Sequence, residues 1–316
     1  MAAARRVGVV GAGAIGLGFA VAFADAGWAV TLAETDPGRR AAIPAEIARR
    51  HGALALCGRA RGDAAAAAGR VTSAATAASA AAGAALVIEA GPENLQIKRA
   101  LFAEILAAAP SGTPVATASS AMTISAILPE PAMQARCLVA HPANPPTVIG
   151  VLEIVGAPGT DPAALDAAET AFRSAGFDPV RLAREVPGFV FNRLQGAVLR
   201  EAYRLVAEGV IDVDGLDRLV RDGLGPRWAL SGPFETAELN TPGGIAAHAA
   251  RMGPAYRAMG EARGERDCAW SADLVAEVER QRRALLPAEA LPARAAWREA
   301  AVARLIAARA ALLRDG

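Results

Sequence analysis

Val7-Gly8-Val9-Val10-Gly11-Ala12-Gly13-Ala14-Ile15-Gly16, together with the chain from Leu17 to Asp36, decides the fold of this protein. Val7 to Val10 is a short apolar run suited to a buried parallel strand, and the glycine turn comes next with no spacer. The pattern predicts a helix over Leu17 to Ala26, stopped by Gly27. Ala29-Val30-Thr31-Leu32 is a second apolar run, and Glu34 stands at its tip. Gly11 permits the tight turn, Gly13 lets the backbone approach a pyrophosphate, and Gly16 lets the helix pack closely on the strand. The helix N-terminus then faces phosphates, and an acid at the second strand tip accepts a hydrogen bond from a ribose 2′-hydroxyl. The stretch reads as a dinucleotide-binding unit.

Outward from it, 316 residues suffice for two domains, and 53% hydrophobic with 21% charged residues describes a soluble globular chain. A net charge of +1 points to neither nucleic acid nor an anionic membrane surface as partner. Cys57, Cys137 and Cys268 lack any Cys-x-x-Cys or Cys/His spacing, so neither a disulfide framework nor a metal site is expected; reduced thiols suit a cytoplasmic protein. Arg5 and Arg6 before an apolar run imitate a secretory signal, but that run carries the glycine turn and reads as the first strand. No uninterrupted apolar segment is long enough to span a membrane. The alanine stretches at 64–68 and 74–85 read as solvent-exposed helices.

After Glu34, Pro37-Gly38 turns the chain into a helical region reaching about Ala68. Its Arg39, Arg40, Arg49, Arg50, Arg59 and Arg61 read as solvated helix faces, or as contacts for the phosphates of a bulky substrate tail. Ala85 to Glu89 is the next buried strand; in an open parallel sheet ligands bind beyond the strands' carboxyl ends, which puts Glu93 on the ligand side. The helix Leu95 to Ala108 carries Lys98, the single lysine of the chain, and a compact ammonium is not replaced by arginine's planar fork. Pro114 to Thr117 is a strand tipped by Ser119 and Ser120, and Cys137 to Ala140 delivers His141-Pro142-Ala143-Asn144-Pro145-Pro146 to the same edge. Val151 to Val155 returns as a strand with Glu153 between Leu152 and Ile154, where a carboxylate needs a partner. His141 is that partner: a carboxylate on one ring nitrogen fixes the tautomer and raises the basicity of the other, as a general base requires.

The composition changes at Val186-Pro187-Gly188, which divides the chain into 1–186, a dinucleotide-binding domain, and 187–316, a helical substrate and dimerisation domain. Val190, Leu194, Val198, Ala202 and Leu205 fall on one face of a helix ended by Gly209, with Asn192 and Arg193 in its first turn. Asp212 caps a second helix, expected to break at Gly223 to Gly225, which puts Arg227 and Trp228 in a glycine-proline turn. Helices over about Ala272 to Leu285 and Ala293 to Leu313 have apolar faces that a homodimer would cover. The fold class expected is α/β, a Rossmann-type doubly wound, mostly parallel sheet followed by an all-helical C-terminal domain.

Gly11 to Gly16, Glu93 with Lys98, Ser120, His141-Pro142-Ala143-Asn144-Pro145, Glu153 and Pro187-Gly188-Phe189-Val190-Phe191-Asn192-Arg193-Leu194 together resemble the 3-hydroxyacyl-CoA dehydrogenase family over nearly the whole chain. His141-Pro142 where the acyl-CoA enzymes usually have His-Phe, Gly223-Leu224-Gly225-Pro226-Arg227-Trp228, Glu235-Thr236, Leu239-Asn240 and Trp297-Arg298 resemble the branch that oxidises L-gulonate. One departure is Ala118-Ser119-Ser120-Ala121, where the acyl-CoA enzymes typically show Asn-Thr-Ser-Ser. The resemblance implies NAD as cofactor, with contacts from Gly11, Gly13, Ala14, Ile15, Gly16, Glu34, Glu93, Lys98, Ser120 and Asn144. It implies His141 as base, Glu153 as its partner, and Ser120 and Asn192 on the substrate hydroxyl. The reaction expected is oxidation of L-gulonate to 3-dehydro-L-gulonate, with Arg227 as candidate for the substrate carboxylate. The alternatives are a 3-hydroxyacyl-CoA such as 3-hydroxybutyryl-CoA, L-carnitine, and, in another class, a non-catalytic crystallin-like dinucleotide-binding protein. L-carnitine is weighed down by an aromatic content of 4%, since a quaternary ammonium is best held by an aromatic cage.

Overall fold

A computed structural model of the chain describes residues 5–265, 271–295, 297, 305, 308 and 311. Cys268, Arg298 and most of the helix expected over 293–313 lie outside the described residues. The chain divides into two compact units, Met1–Leu199 and Arg200–Gly316.

The first unit is built on eight strands: β1 (Arg6–Val10), β2 (Ala29–Ala33), β3 (Val71–Ala74), β4 (Leu86–Glu89), β5 (Val115–Thr117), β6 (Cys137–Pro142), β7 (Val151–Gly156) and β8 (Asp178–Arg181). Their order in the sheet is β3-β2-β1-β4-β5-β6-β7-β8, and every neighbouring pair is parallel except β6 with β7. Strand order reverses between β1 and β4, which opens a crevice beyond their carboxyl ends. β3 and β8, the two edge strands, have no counterpart in the sequence reading.

Seven helices cover the sheet: α1 (Ala14–Asp25), α2 (Pro37–Leu56), α3 (Ala64–Gly69), α4 (Ala77–Ala81), α5 (Leu95–Ala108), α6 (Ile124–Ile127) and α7 (Pro162–Ser174). α1 begins at Ala14, a turn earlier than expected, because Gly13 is already its extended N-cap. It is buried from Gly16 to Asp25, and Gly27, at φ 87°, releases the chain from it. The alanine stretch beyond residue 74 is not a solvent-exposed helix: Ala77, Ala80 and Ala81 of α4 are buried. Alanine lets that helix approach β1 so closely that a Cβ on Gly8 would strike the Ala80 carbonyl.

One face of the sheet carries an aromatic nest of Phe19, Phe23, Trp28, Phe172 and Phe177, with neighbouring ring centroids from 5.2 to 6.4 Å apart. At about 1.5–3 kcal/mol for each large side chain removed from water, this nest fixes α1 and α7 to the strands. The other face is closed by Phe102, Ile105, Ile124, Ile127 and the alanines of α4. Asp25, buried at the end of α1, accepts from the amides of Arg61 and Gly62 at 2.8 and 3.1 Å and from His51 Nε2 at 2.8 Å. It thereby holds the α2–α3 connection beneath α1.

α8 (Phe191–Ala207) carries the chain from the first unit into the second and has no buried residue; its stripe residues Leu194 and Val198 are 57% and 40% exposed. Asp212 caps α9 (Val213–Arg218), accepting from the Gly215 amide at 2.7 Å. The break expected at Gly223 to Gly225 does not occur. A wide π-helical turn over Leu219–Leu224 absorbs Gly223, Gly225 keeps helical angles of −55° and −49°, and the chain runs on into α10 (Gly225–Trp228). Arg227 and Trp228 therefore lie on a helix. α11 (Pro233–Leu239), α12 (Gly244–Ala262) and α13 (Ala272–Leu285) come after it. The buried Glu238 pairs with Arg282 at 2.7 Å and with Arg283, tying α11 to α13. Trp297, 44% exposed, lies beneath the Arg294 guanidinium at 3.8 Å. Among the described residues, no helix is long and apolar enough to cross a membrane, and no cluster of His, Cys, Asp and Glu is placed to hold a metal ion.

Candidate active site

At the crevice, Gly11 has φ 105°, and a Cβ on it would come within 2.6 Å of the Ala90 carbonyl oxygen; one on Gly16 would strike the Gly11 carbonyl. The turn is thus closed to any other residue at these two places. Beside Gly13 the space is open, with nothing within 4 Å of a Cβ placed there. The first turn of α1, with Ala14 and Ile15, contains no acid and no side-chain cap, so no side chain competes with an anion for its amide donors. These residues fit the pyrophosphate of a dinucleotide. Glu34, buried at the tip of β2, accepts from the Asp36 amide at 3.1 Å and pairs with Arg39 at 3.3 Å. Arg39 also donates to the Ala12 carbonyl at 3.1 Å, bridging the acid to the glycine turn.

Across the crevice, Glu93 Oε1 accepts from Ser119 Oγ at 2.5 Å and from the amides of Ser120 and Ala121 at 2.8 and 3.3 Å, joining the tips of β4 and β5. Burial pushes the Glu93 carboxyl up, but the Ser119 hydroxyl, the Lys98 ammonium and the Ser120 amide together hold it below the ordinary glutamate range. Lys98 is buried behind Glu93, 3.3 Å from its Oε2, with its ammonium turned to carboxylates. The Ser120 hydroxyl is on the exposed edge with no hydrogen-bond partner among the described residues, while the Ser120 carbonyl accepts from Asn192 Nδ2 at 2.6 Å.

β6 and β7 run antiparallel in a register that sets His141 directly opposite Glu153. His141 Nδ1 lies 2.8 Å from Glu153 Oε2, and both side chains are buried. The other carboxylate oxygen accepts from the amides of Val190 and Phe191 at 2.7 and 3.1 Å, so Glu153 also fixes the start of α8. Phe189, in a left-handed turn at φ 48°, and Phe191 place their rings 5.5 and 6.1 Å from the imidazole. Asn144 is exposed in the loop after β6, and Arg59 anchors that loop by donating to the carbonyls of Thr147 at 3.0 Å and Gly176 at 2.8 Å. His141, Glu153, Asn192, Ser120 and Glu93 are thus brought to one edge of the first unit.

Arg227 belongs to the second unit. It lines a cavity of about 520 Å³ with Trp228, Phe234, Asn240, His248 and Tyr256. Burial, with Arg251 nearby, holds the His248 imidazole below its ordinary value. The sequence reading missed Glu89 and Thr117. For Glu89 a signal existed: it is a carboxylate ending an apolar run, the same argument that singled out Glu153.

A doubly wound sheet with a glycine turn, an acid at the β2 tip and a histidine–carboxylate pair on the ligand edge defines an NAD-dependent dehydrogenase. Sequence models of the 3-hydroxyacyl-CoA dehydrogenase NAD binding domain and C-terminal domain match residues 6–186 and 188–284. The chain belongs to the 3-hydroxyacyl-CoA dehydrogenase family. It is 39% identical over 239 residues to a lambda-crystallin homolog of Bos taurus, covering 75% of this chain and 74% of that protein. It is 39% identical over 251 residues to an L-carnitine dehydrogenase of Streptomyces griseus subsp. griseus, covering 79% and 74%. The solved structure of 5-formyl-3-hydroxy-2-methylpyridine 4-carboxylic acid 5-dehydrogenase, an NAD+-dependent dismutase, superimposes with a TM-score of 0.71 at 26% identity, over 92% of this chain and 98% of that one.

NAD is the cofactor. Glu34→Ala should lower kcat/KM for NAD by about 10- to 100-fold, the range of one lost hydrogen bond to a charged group. It should narrow the gap to NADP, because the carboxylate that repels a 2′-phosphate is gone and Arg39 loses its partner. Turnover with each cofactor at equal concentration checks this; an unchanged ratio would place the discrimination elsewhere.

Proposed function

We propose that the enzyme oxidises the C3 hydroxyl of a small free hydroxy acid, with L-gulonate to 3-dehydro-L-gulonate as the reaction to test first. The observation that carries the chemistry is the contact between His141 Nδ1 and Glu153 at 2.8 Å, which leaves Nε2 to take the hydroxyl proton. Bound NAD+ supplies the acceptor for the hydride from C3. Ser120 offers its hydroxyl to the substrate oxygen, and Asn192 holds Ser120 in place through its carbonyl. Phe189 and Phe191 flank the imidazole and limit water around it.

The choice of a free acid over a CoA thioester is supported by the arginines of the α2–α3 region. Arg39, Arg40, Arg50, Arg59 and Arg61 all donate to backbone carbonyls of the chain itself, and Arg49 pairs with Glu46 at 2.8 Å. Donors spent on these carbonyls and on Glu46 are not available to the phosphates of a CoA tail, which makes the cluster a weaker site for one. Arg227 is assigned to the substrate carboxylate.

A second reading, L-carnitine, is favoured by one observation. Three of the fourteen aromatic residues of the chain, Trp228, Phe234 and Tyr256, line the same cavity as Arg227. Aromatic faces and a guanidinium together suit a quaternary ammonium and a carboxylate on one molecule. A homodimer through the helical unit and a cytoplasmic setting complete the reading; the exposed Leu194 and Val198 of α8 and, among the described residues, the unpaired thiols of Cys57 and Cys137 support them.

The test is NAD reduction with L-gulonate, L-3-hydroxybutyrate, L-carnitine and 3-hydroxybutyryl-CoA, on wild type and Arg227→Met. L-gulonate should give the highest kcat/KM, and Arg227→Met should raise its KM about tenfold or more, as for one lost charged hydrogen bond. A wide margin for the thioester would overturn the free-acid reading, one for L-carnitine would install the second, and an unchanged KM would remove Arg227 from the site.

A further inference from the structure

Beneath the β4–β5 edge lies a second carboxylate that the dehydrogenase chemistry has not used. Glu89 ends β4 fully buried, and Lys98 reaches it from α5 with 1% of its surface exposed. The ammonium lies 2.9 and 3.1 Å from the two Glu89 oxygens, 3.3 Å from Glu93 Oε2 and 3.5 Å from the Gly91 carbonyl. Glu89 also accepts from Thr117 Oγ1 and the Gly91 amide, each at 2.7 Å. The three donors of an ammonium spread in space and can serve acceptors from different elements, which a planar guanidinium does not do. The chain otherwise always chose arginine, so shape explains its one lysine.

A buried ion pair is poor value as stabilisation, because two well-packed apolar side chains of similar volume often serve as well. What such a pair supplies here is placement. Its far end is the Glu93 carboxylate, whose other oxygen holds Ser119, Ser120 and Ala121. In a doubly wound sheet one half of a dinucleotide lies over the strands on one side of the crevice and the other half over those on the opposite side. Glu34 takes the adenosine side, so β4 and β5 face the nicotinamide half.

We propose that Glu89 is a positioning residue for NAD: through Lys98 it fixes the Glu93 carboxylate, and with it the Ser119–Ala121 tip, in the arrangement that the nicotinamide half meets. Lys98, for which the family resemblance implies a direct cofactor contact, is 1% exposed and acts instead as a strut behind Glu93. This rests on the reading that Glu93 and Ser120 contact the cofactor. Its readout is binding, not chemistry, so its failure is distinguishable from failure of the His141–Glu153 assignment.

The experiment measures Kd for NAD+ and for AMP, with Tm, in Glu89→Gln, Lys98→Met, Lys98→Arg and the double variant Glu89→Leu/Lys98→Met. The first two leave a buried charge or polar group unpaired and should melt earlier; the double variant removes both charges but leaves the Thr117 hydroxyl and the Gly91 amide without their acceptor, so it should recover only part of the loss. Lys98→Arg keeps the charge and changes only its shape, and tests the idea should the double variant not fold. In both the double variant and Lys98→Arg, Kd for NAD+ should rise about tenfold, equivalent to about 1.4 kcal/mol. Kd for AMP should stay at the wild-type value, because the glycine turn and Glu34 are untouched. Wild-type affinity for NAD+ in these variants would show that the cluster only packs, and equal weakening of NAD+ and AMP would show that it supports the fold at large; either result overturns the proposal.

Discussion

Replacing His141 by alanine should lower kcat by about 10²- to 10⁴-fold, the range for a positioned general base, with Kd for NAD unchanged. The imidazole stands at the end of a fully buried strand with one nitrogen on Glu153, so the variant loses the only proton acceptor that β6 delivers to this edge. The dinucleotide contacts assigned to Gly11–Gly16 and Glu34 come from β1, β2 and α1, and the substitution does not reach them. Steady-state turnover with the preferred acid, beside a cofactor titration, checks both halves. Turnover within a fewfold of wild type would make His141 a packing residue and end the base assignment.

Glu153→Gln should approach the same loss by a different route, and its Tm should stay near that of wild type. Glutamine keeps one acceptor oxygen for the Val190 and Phe191 amides, so the start of α8 remains held. Its amide nitrogen, however, donates to His141 Nδ1 and forces the ring proton onto Nε2, the atom that must be free to accept. Glu153→Leu abolishes both contacts and leaves two amides without their acceptor; this variant should lose turnover and several degrees of Tm together. The pair separates tautomer control from anchoring. Full activity in Glu153→Gln would mean that the carboxylate only anchors the helix.

Much of this arrangement is legible in the amino-acid sequence alone. The glycine turn, the acid at β2 and the helix Leu95–Ala108 come from local chemistry, and α5 occupies the range its apolar spacing indicates. The facing of His141 and Glu153 is legible as well, because a buried carboxylate in an apolar strand demands a partner. What stays hidden depends on neighbours. β3 and β8 are short edge strands of mixed polarity, and β8 contains Pro179, which argues against a strand until its edge position is known. The π-turn over Leu219–Leu224 carries no local mark, so Gly223 within it and Gly225 after it look like a stop. The alanines of α4 look solvated because nothing in their own sequence shows β1 lying against them. The arginines from 39 to 61 look like open charge, since the carbonyls that occupy Arg59 lie 87 to 117 residues away.

The near absence of lysine sets how the whole molecule answers to alkali. With Lys98 buried in its carboxylates, every strongly basic side chain at the surface is a guanidinium, which keeps its proton to beyond pH 12. Histidine as a type titrates near neutrality, and above that range the chain holds only three cysteines and two tyrosines, with the Cys137 thiol pushed up to about 12 by burial. The electrical potential around the protein therefore changes little across the alkaline range, where a lysine-rich chain of the same size would shed many charges. Oxidation of an alcohol by NAD+ releases a proton, so alkali draws that equilibrium forward. An inflection in rate across that range is therefore to be sought in local ionisations and not in a drifting background charge.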